Sequence, residues 1–264
     1  SQFGAGTFAG ARTFLAAPIA SDLLALAREA SALADAGVSN PLGRVTVHPD
    51  VILVTPWHKL LNRLAEVLRG SARHGSCGMG VGQALLDAEK PAMPTVRVRE
   101  VEDADLLGRG LHRLWLTKVD QAEQALGAAA RAFELQDGPG VLCAGDLEAG
   151  AAIVEDLRDR SRIDALVQEY RAIAAQVTVG DALPELLAAG HVVFEGAQGV
   201  LLDRVHGDFP FVTPSYVTPD RALGLLAPHV ERADVRVIGV TRTYATRHGP
   251  GPFPTEDPDW PAPD

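Results

Sequence analysis

The sequence predicts an α/β fold, a mainly parallel sheet flanked by helices, and three observations carry that prediction. Segments with helical apolar spacing alternate with short β-branched runs. Those runs are short and read as buried, as strands covered on both faces are. A polar, glycine-bearing loop follows the last run of the helix-rich middle, and parallel sheets bind ligands beyond their strand ends. Apolar residues make up 47% and charged residues 22% of the 264 positions, which excludes disorder, collagen and coiled coil as overall classes. A chain of this length forms one large or two small domains and buries a full core without staples.

The elements follow in order. Residues 21–36 have apolar positions at helical spacing, with Ser21 or Asp22 as cap and Gly37 as stop. Residues 44–47 and 51–54 read as strands. Pro56 opens a helix through Leu68 that stops at Gly70. A glycine-rich loop covers 71–82, and a short helix spans 83–89. The region from about 83 to 190 is predicted to be mostly helical. Residues 103–117, 118–135 and about 147–176 keep three- and four-residue apolar spacing, with a break at Gly138-Pro139-Gly140. Asp181 caps a helix to Ala189, Val192-Val193-Phe194 reads as a short buried strand, 219–229 as a helix and 235–240 as a strand. Ser1 stands where a start would have Met, and the Pro/Asp-rich end completes no element. The expectation is one domain over 1–264, incomplete at both ends.

Lys and Arg total 24 against 34 Asp and Glu, a net charge of −10. That balance argues against a nucleic-acid or acidic-membrane partner but leaves room for a local phosphate site. No apolar run reaches the roughly 18 residues of a membrane span. Cys77 and Cys143 cannot form a disulfide framework, so a reducing cytoplasm is the expected compartment.

Three stretches carry candidate chemistry. In 194–213, FEGAQGVLLDRVHGDFPFVT, glycines flank Gln198 after the predicted strand. Such a backbone approaches a ligand closely, and an amide offers one donor and one acceptor to a ring edge. Asp203, His206 and Asp208 follow at short spacing. They make either a metal or acid/base cluster, as in a hydrolase, or a turn held by side-chain-to-backbone bonds, and the turn is the preferred reading. In 73–82, RHGSCGMGVG, successive backbone amides can form an anion nest ahead of a helix, or a plain connector. Cys77 beside Arg73 and His74 is a weaker candidate for a thiolate. In 241–256, TRTYATRHGPGPFPTE, Arg242, Arg247 and His248 suit a phosphate or carboxylate, or a solvated loop. The remaining histidines, His58 among them, read as surface or partly buried structural residues. No P-loop spacing, nucleophile elbow or His/Cys metal spacing occurs.

Taken together, these stretches resemble the adenylosuccinate synthetase family. FEGAQGVLLDRVHGDFPFVT is similar to its FEGAQG-x-LLD-x-x-HG-x-x-P-x-VT block, TYATRHGPGPFPTE to its Y-x-TRVG-x-GPFPTE block, and 75–82 to its GTTGRGIGP loop. The resemblance implies an incomplete P-loop NTPase-like ligase fold. It implies a GTP- and magnesium-dependent enzyme of purine biosynthesis, active as a homodimer, that joins aspartate to the 6-position of IMP or a related purine nucleotide. It places Gln198 at the purine 6-position, Thr213 and the loop residue Cys77 at the 5′-phosphate, Ser76 next to Cys77 in the nucleotide-binding loop, and the His248 backbone at the ribose. It implies no metal ligand in this chain. Cys77, Met79 and Gln83 depart from the family loop, and the family's catalytic base, catalytic acid and guanine-reading segment have no counterpart in 1–264. No ligase activity is therefore expected of this chain by itself. The alternative is a non-catalytic purine nucleotide-binding protein descended from the same family.

Overall fold

Parallel pairing of very short strands organises the first part of the chain in the computed structural model. Strand β1 (Thr13–Leu15) pairs with β3 (Val45–Val47), which pairs with β5 (Thr178–Val179), all parallel. A second parallel pair joins β2 (Ala20–Ser21) to β4 (Ile52–Leu53). Every residue of β3 and β4 is buried, the pattern of strands covered on both faces. The structure describes residues 1–135, 142–229, 235–243, 245–247 and 249–255. The expected break at 138–140, His248 and Trp260 lie outside these.

Helices cover the sheets. Helix α1 (Leu23–Asp35) starts where the Asp22 carboxylate accepts the Ala25 amide at 3.1 Å, one of the four donors that a helix start leaves open. Helix α2 (Pro56–Val67) has Pro56 in its first turn and buries Trp57, His58, Leu60, Leu61 and Leu64. Helix α3 (Val81–Ala88) follows the glycine-rich loop. The two helices expected over 103–135 are one, α4 (Ala104–Leu135). Its apolar stripe (Leu107, Leu111, Leu114, Ala122) runs through residue 118 without a proline to interrupt it. The segment expected to be helical over about 147–176 is two helices, α5 (Ala144–Leu157) and α6 (Arg162–Ala174). Between them Asp159 accepts the Ser161 amide at 3.0 Å and its hydroxyl at 2.6 Å, a local bond that competes with helix continuation. Helices α7 (Leu183–Ala189) and α8 (Asp220–Leu226) complete the set among the described residues.

Contacts divide the chain into two units, Ser1–Glu195 and Gly196–Asp264. The first holds the main core, from Leu15 and Val47 through Trp57 and Leu111 to Tyr170. Two sequence expectations need correction. Residues 192–194 and 235–240 form no strand, and Val193, Ile238 and Val240 are 79%, 70% and 94% exposed. Extended apolar backbone is stable as a strand only when a neighbour takes its amides and carbonyls. Neither run has such a neighbour among the described residues.

Candidate functional site

The glycine-rich loop is built onto α2. Gly80 has φ +73°, and a Cβ there would stand 2.7 Å from the Lys59 nitrogen and 2.8 Å from the His58 carbonyl carbon. Only glycine allows both that backbone conformation and that approach. Earlier in the loop, the amides of Gly75 and Ser76 both donate to one carboxylate oxygen of Glu66, at 2.9 and 3.2 Å. This is the paired-donor arrangement expected of an anion nest, here filled by the chain's own carboxylate. The Ser76 hydroxyl donates to Asn62 Oδ1 at 2.8 Å and receives the Gly78 amide at 3.3 Å. Cys77 is an exposed free thiol, and Arg73, four residues earlier in the chain, pairs with Asp146 at 2.9 Å.

Beneath the loop lies a buried polar cluster that no local sequence pattern announces. His58, Asp87 and Lys118, from α2, α3 and α4, are each at most 3% exposed. The His58 Nδ1 accepts the Thr55 amide at 3.0 Å, which leaves the ring proton on Nε2, facing Asp87 Oδ2 at 3.4 Å. Lys118 Nζ donates to the same Asp87 oxygen and, at 3.0 Å, to Gln121. Gln83 donates to the other Asp87 oxygen at 3.0 Å. Burial lowers the His58 pKa and keeps the ring neutral. Burial by itself would raise that of Asp87, but the hydrogen bonds from His58 and Lys118 hold it below the usual carboxylate range. The Lys118 pKa is lowered by burial, against the pull of Asp87. The signals present were a lysine inside the α4 apolar stripe and a histidine on the buried face of α2.

In the second unit, Asp203 organises the loop that carries Gln198. Its side chain is fully buried. It accepts the amides of Val205 at 2.8 Å, His206 at 3.0 Å, Val217 at 2.5 Å and Thr218 at 3.3 Å. These bonds, that from Val217 foremost, hold its carboxyl far below the usual range. The turn reading of Asp203, His206 and Asp208 therefore describes Asp203, and no group of three or more metal-capable side chains occurs among the described residues. Gln198 is exposed with φ +76°, a strained setting for a non-glycine residue. Thr213 is half-buried, its amide on the Leu202 carbonyl at 2.8 Å and its hydroxyl 3.5 Å from Ser215. Arg247 donates to the carbonyls of Pro250 and Phe211 at 3.0 and 3.2 Å, while Arg242 donates to Thr246 at 2.8 Å.

Comparison with known proteins gives these loops a context. The sequence profile described as adenylosuccinate synthetase matches residues 2–260. The chain belongs to that family. It is 35% identical over 222 residues to an adenylosuccinate synthetase of Parafrankia sp. (strain EAN1pec), covering 81% of this chain and 44% of that protein. It is 33% identical over 239 residues to that of Myxococcus xanthus (strain DK1622), covering 89% and 49%. The fully ligated adenylosuccinate synthetase from Plasmodium falciparum shares the fold, with a TM-score of 0.54 and 16% identity over 92% of this chain and 49% of that one. The chain thus spans about half the length of the curated relatives it matches. Of the residues that family resemblance selects, Ser76 and Cys77 lie in the first unit and Gln198 and Thr213 in the second. His248 lies outside the described residues.

Proposed function

We propose that this chain supplies the purine nucleoside monophosphate site of an adenylosuccinate synthetase-type ligase. The reaction proposed is GTP-dependent joining of aspartate to the 6-position of IMP or a closely related purine nucleotide, in purine nucleotide biosynthesis. The observation that carries the proposal is the FEGAQG block itself, with Gln198 held at positive φ at the head of a loop that Asp203 fixes through four amides, inside a family match over 2–260.

In the proposed chemistry, the terminal phosphoryl group of GTP passes to the purine 6-oxygen. The amine of aspartate then attacks carbon 6, and phosphate leaves with the bonding pair. The Gln198 amide hydrogen-bonds the 6-position edge, where negative charge grows as the ring carbonyl is activated, and a fixed donor there favours the transition state over the ground state. Thr213 takes the 5′-phosphate, and the family resemblance assigns Ser76, Cys77 and the His248 backbone to the same nucleotide. The Glu66 carboxylate on the Gly75 and Ser76 amides supports this, because a phosphate oxygen needs the same paired donors. GTP binding, aspartate binding, homodimerisation and a cytoplasmic location are part of the proposal. Magnesium is part of the proposal as well; no group of three or more metal-capable side chains occurs among the described residues, and such a metal is commonly held by one or two carboxylates with the substrate phosphates.

The test is calorimetric titration of the chain with IMP, GMP and AMP. One of the three is expected to bind, and Gln198→Ala is expected to weaken it by about 1–3 kcal/mol, the usual cost of an unpaired polar contact. Absence of binding by all three, or unchanged affinity in Gln198→Ala, overturns the proposal. Binding with no turnover once GTP and aspartate are added supports a nucleotide-binding role for this chain alone.

A further inference from the structure

We infer that a second anion site lies in the helical region of the first unit, built to take a compact oligophosphate, a pyrophosphate-like pair of adjacent phosphates. A cavity of about 770 Å³ opens between the first half of α4 and the start of α6, within the size range of small-molecule sites. Arg109 and Arg113, one turn apart on α4, line it together with His112. Arg160, in the turn before α6, lines it from the other side.

The charge arrangement favours an anion there. Neighbouring arginines are paired: Arg158 with Glu123 and Glu155, and Arg162 with Asp159. Among the described residues, Arg109, Arg113 and Arg160 form no ion pair, on a chain whose net charge is −10. Two arginines at i and i+4 repel each other, and an anion between them reverses that cost. Two carboxylates lie near enough to act on these arginines, Asp103 on Arg109 and Glu100 on Arg113, and both are also held by backbone amides. Asp103 Oδ1 accepts the amides of Asp105 and Leu106, both at 2.9 Å, and Glu100 Oε1 accepts that of Arg97 at 2.9 Å.

Chemistry narrows the ligand. Three guanidiniums carry more positive charge than one phosphate dianion balances, so two adjacent phosphates match them better. Leu106 and Ile163 add an apolar wall that an attached base or sugar could cover. Asp164 is the one acid on the lining. Its negative charge opposes an anion there. This site shares no residue with the proposed monophosphate site, so the two stand or fall separately.

The experiment titrates the full chain with inorganic pyrophosphate, orthophosphate and ADP, at low and high salt. Pyrophosphate is expected to bind at one site, at least about tenfold tighter than orthophosphate, with affinity falling as salt rises. The double variant Arg109→Ala/Arg113→Ala is expected to lose about tenfold or more in pyrophosphate affinity while its circular dichroism and its IMP affinity match those of the parent. Asp164→Asn is expected to bind pyrophosphate more tightly. Equal affinities for pyrophosphate and ADP assign recognition to the phosphates, and tighter ADP binding assigns the apolar wall to the nucleoside. No pyrophosphate binding, or binding that the double variant leaves intact, overturns the inference.

Discussion

Asp87 and Asp203 are both buried carboxylates, and the chain satisfies them in opposite ways. Asp87 is held by side chains from far along the sequence, a lysine on α4, a histidine on α2 and a glutamine on its own helix. Asp203 is held by four backbone amides within 15 residues. The first arrangement exists only when three helices have packed, so it reports on tertiary structure. The second needs only a loop to close, and it shapes that loop whatever surrounds it. The difference separates two tasks: fixing the floor under the glycine-rich loop, and fixing the loop that presents Gln198.

Predictions that break one side at a time follow from this contrast. The largest effect is expected at Lys118. Lys118→Ala leaves Asp87 as a buried charge without its cation and is expected to destabilise the chain by about 3–5 kcal/mol. Lys118→Met combined with Asp87→Leu is expected to recover much of that loss, because replacing a buried pair by apolar side chains of similar volume is often neutral. Urea unfolding of the single and double variants checks both. Next is Gly80→Ala, which forces a Cβ into the backbone of His58 and Lys59 and into a left-handed conformation. A loss of about 2 kcal/mol or more is expected from overpacking and strain together, along with weaker monophosphate binding, read by melting and titration on the same sample.

The pH dependence should distinguish the two units. The His58 pKa lies below its ordinary 6.5 in the folded chain. Below that pH the unfolded chain takes up a proton that the folded chain refuses, so the stability His58 contributes is present above about pH 6.5 and falls as pH drops. The Asp203 pKa lies below its ordinary 3.8. Its contribution is present above about pH 3.8 and is lost only below it. Melting curves from pH 7.5 to 5 are expected to shift downward in the parent and to flatten in His58→Gln, while Asp203→Asn leaves that slope unchanged and removes part of the loss below pH 4. The smallest effect is expected at Glu66. Glu66→Gln frees the Gly75 and Ser76 amides from a charged competitor, and monophosphate affinity should rise by about 1 kcal/mol or less. Weaker binding in that variant would place the phosphate elsewhere.

What was legible in the sequence follows the same division between local and long-range causes. The Asp22 cap, the Pro56 start and the Asp203 turn are decided by neighbours within a few residues, and each stands where the sequence puts it. The parallel, helix-flanked sheet class was readable from alternation alone. The continuity of α4 needed only the absence of a proline at 117–118, which the split reading passed over. The strand expected at 235–240 failed because propensity supplies no partner, and the same holds at 192–194. β1 and β2 were missed because TFL and AS carry no run of β-branched residues, and β5 was passed over although it ends a Val177-Thr178-Val179 run of the same composition as β3. The His58, Asp87 and Lys118 cluster joins residues 29 and 31 positions apart on three helices, and no spacing rule covers that. Its traces were a lysine and a histidine on apolar faces, which cost too much there without partners. The glycine frame marked Gln198 as a ligand contact and 73–82 as a possible anion nest, but the roles of Gln198, Thr213, Ser76 and Cys77 at particular parts of a nucleotide came from family resemblance.

The central claim, that this chain carries a purine nucleoside monophosphate site in which Gln198 reads the base and Thr213 the phosphate, is tested most directly by one titration series. IMP and inosine are each titrated into the parent chain, Gln198→Ala and Thr213→Val. Gln198→Ala is expected to weaken both ligands alike, whereas Thr213→Val should weaken IMP by about 1–3 kcal/mol and leave inosine unchanged. Equal affinities of IMP and inosine for the parent, or of IMP for all three proteins, would contradict the claim.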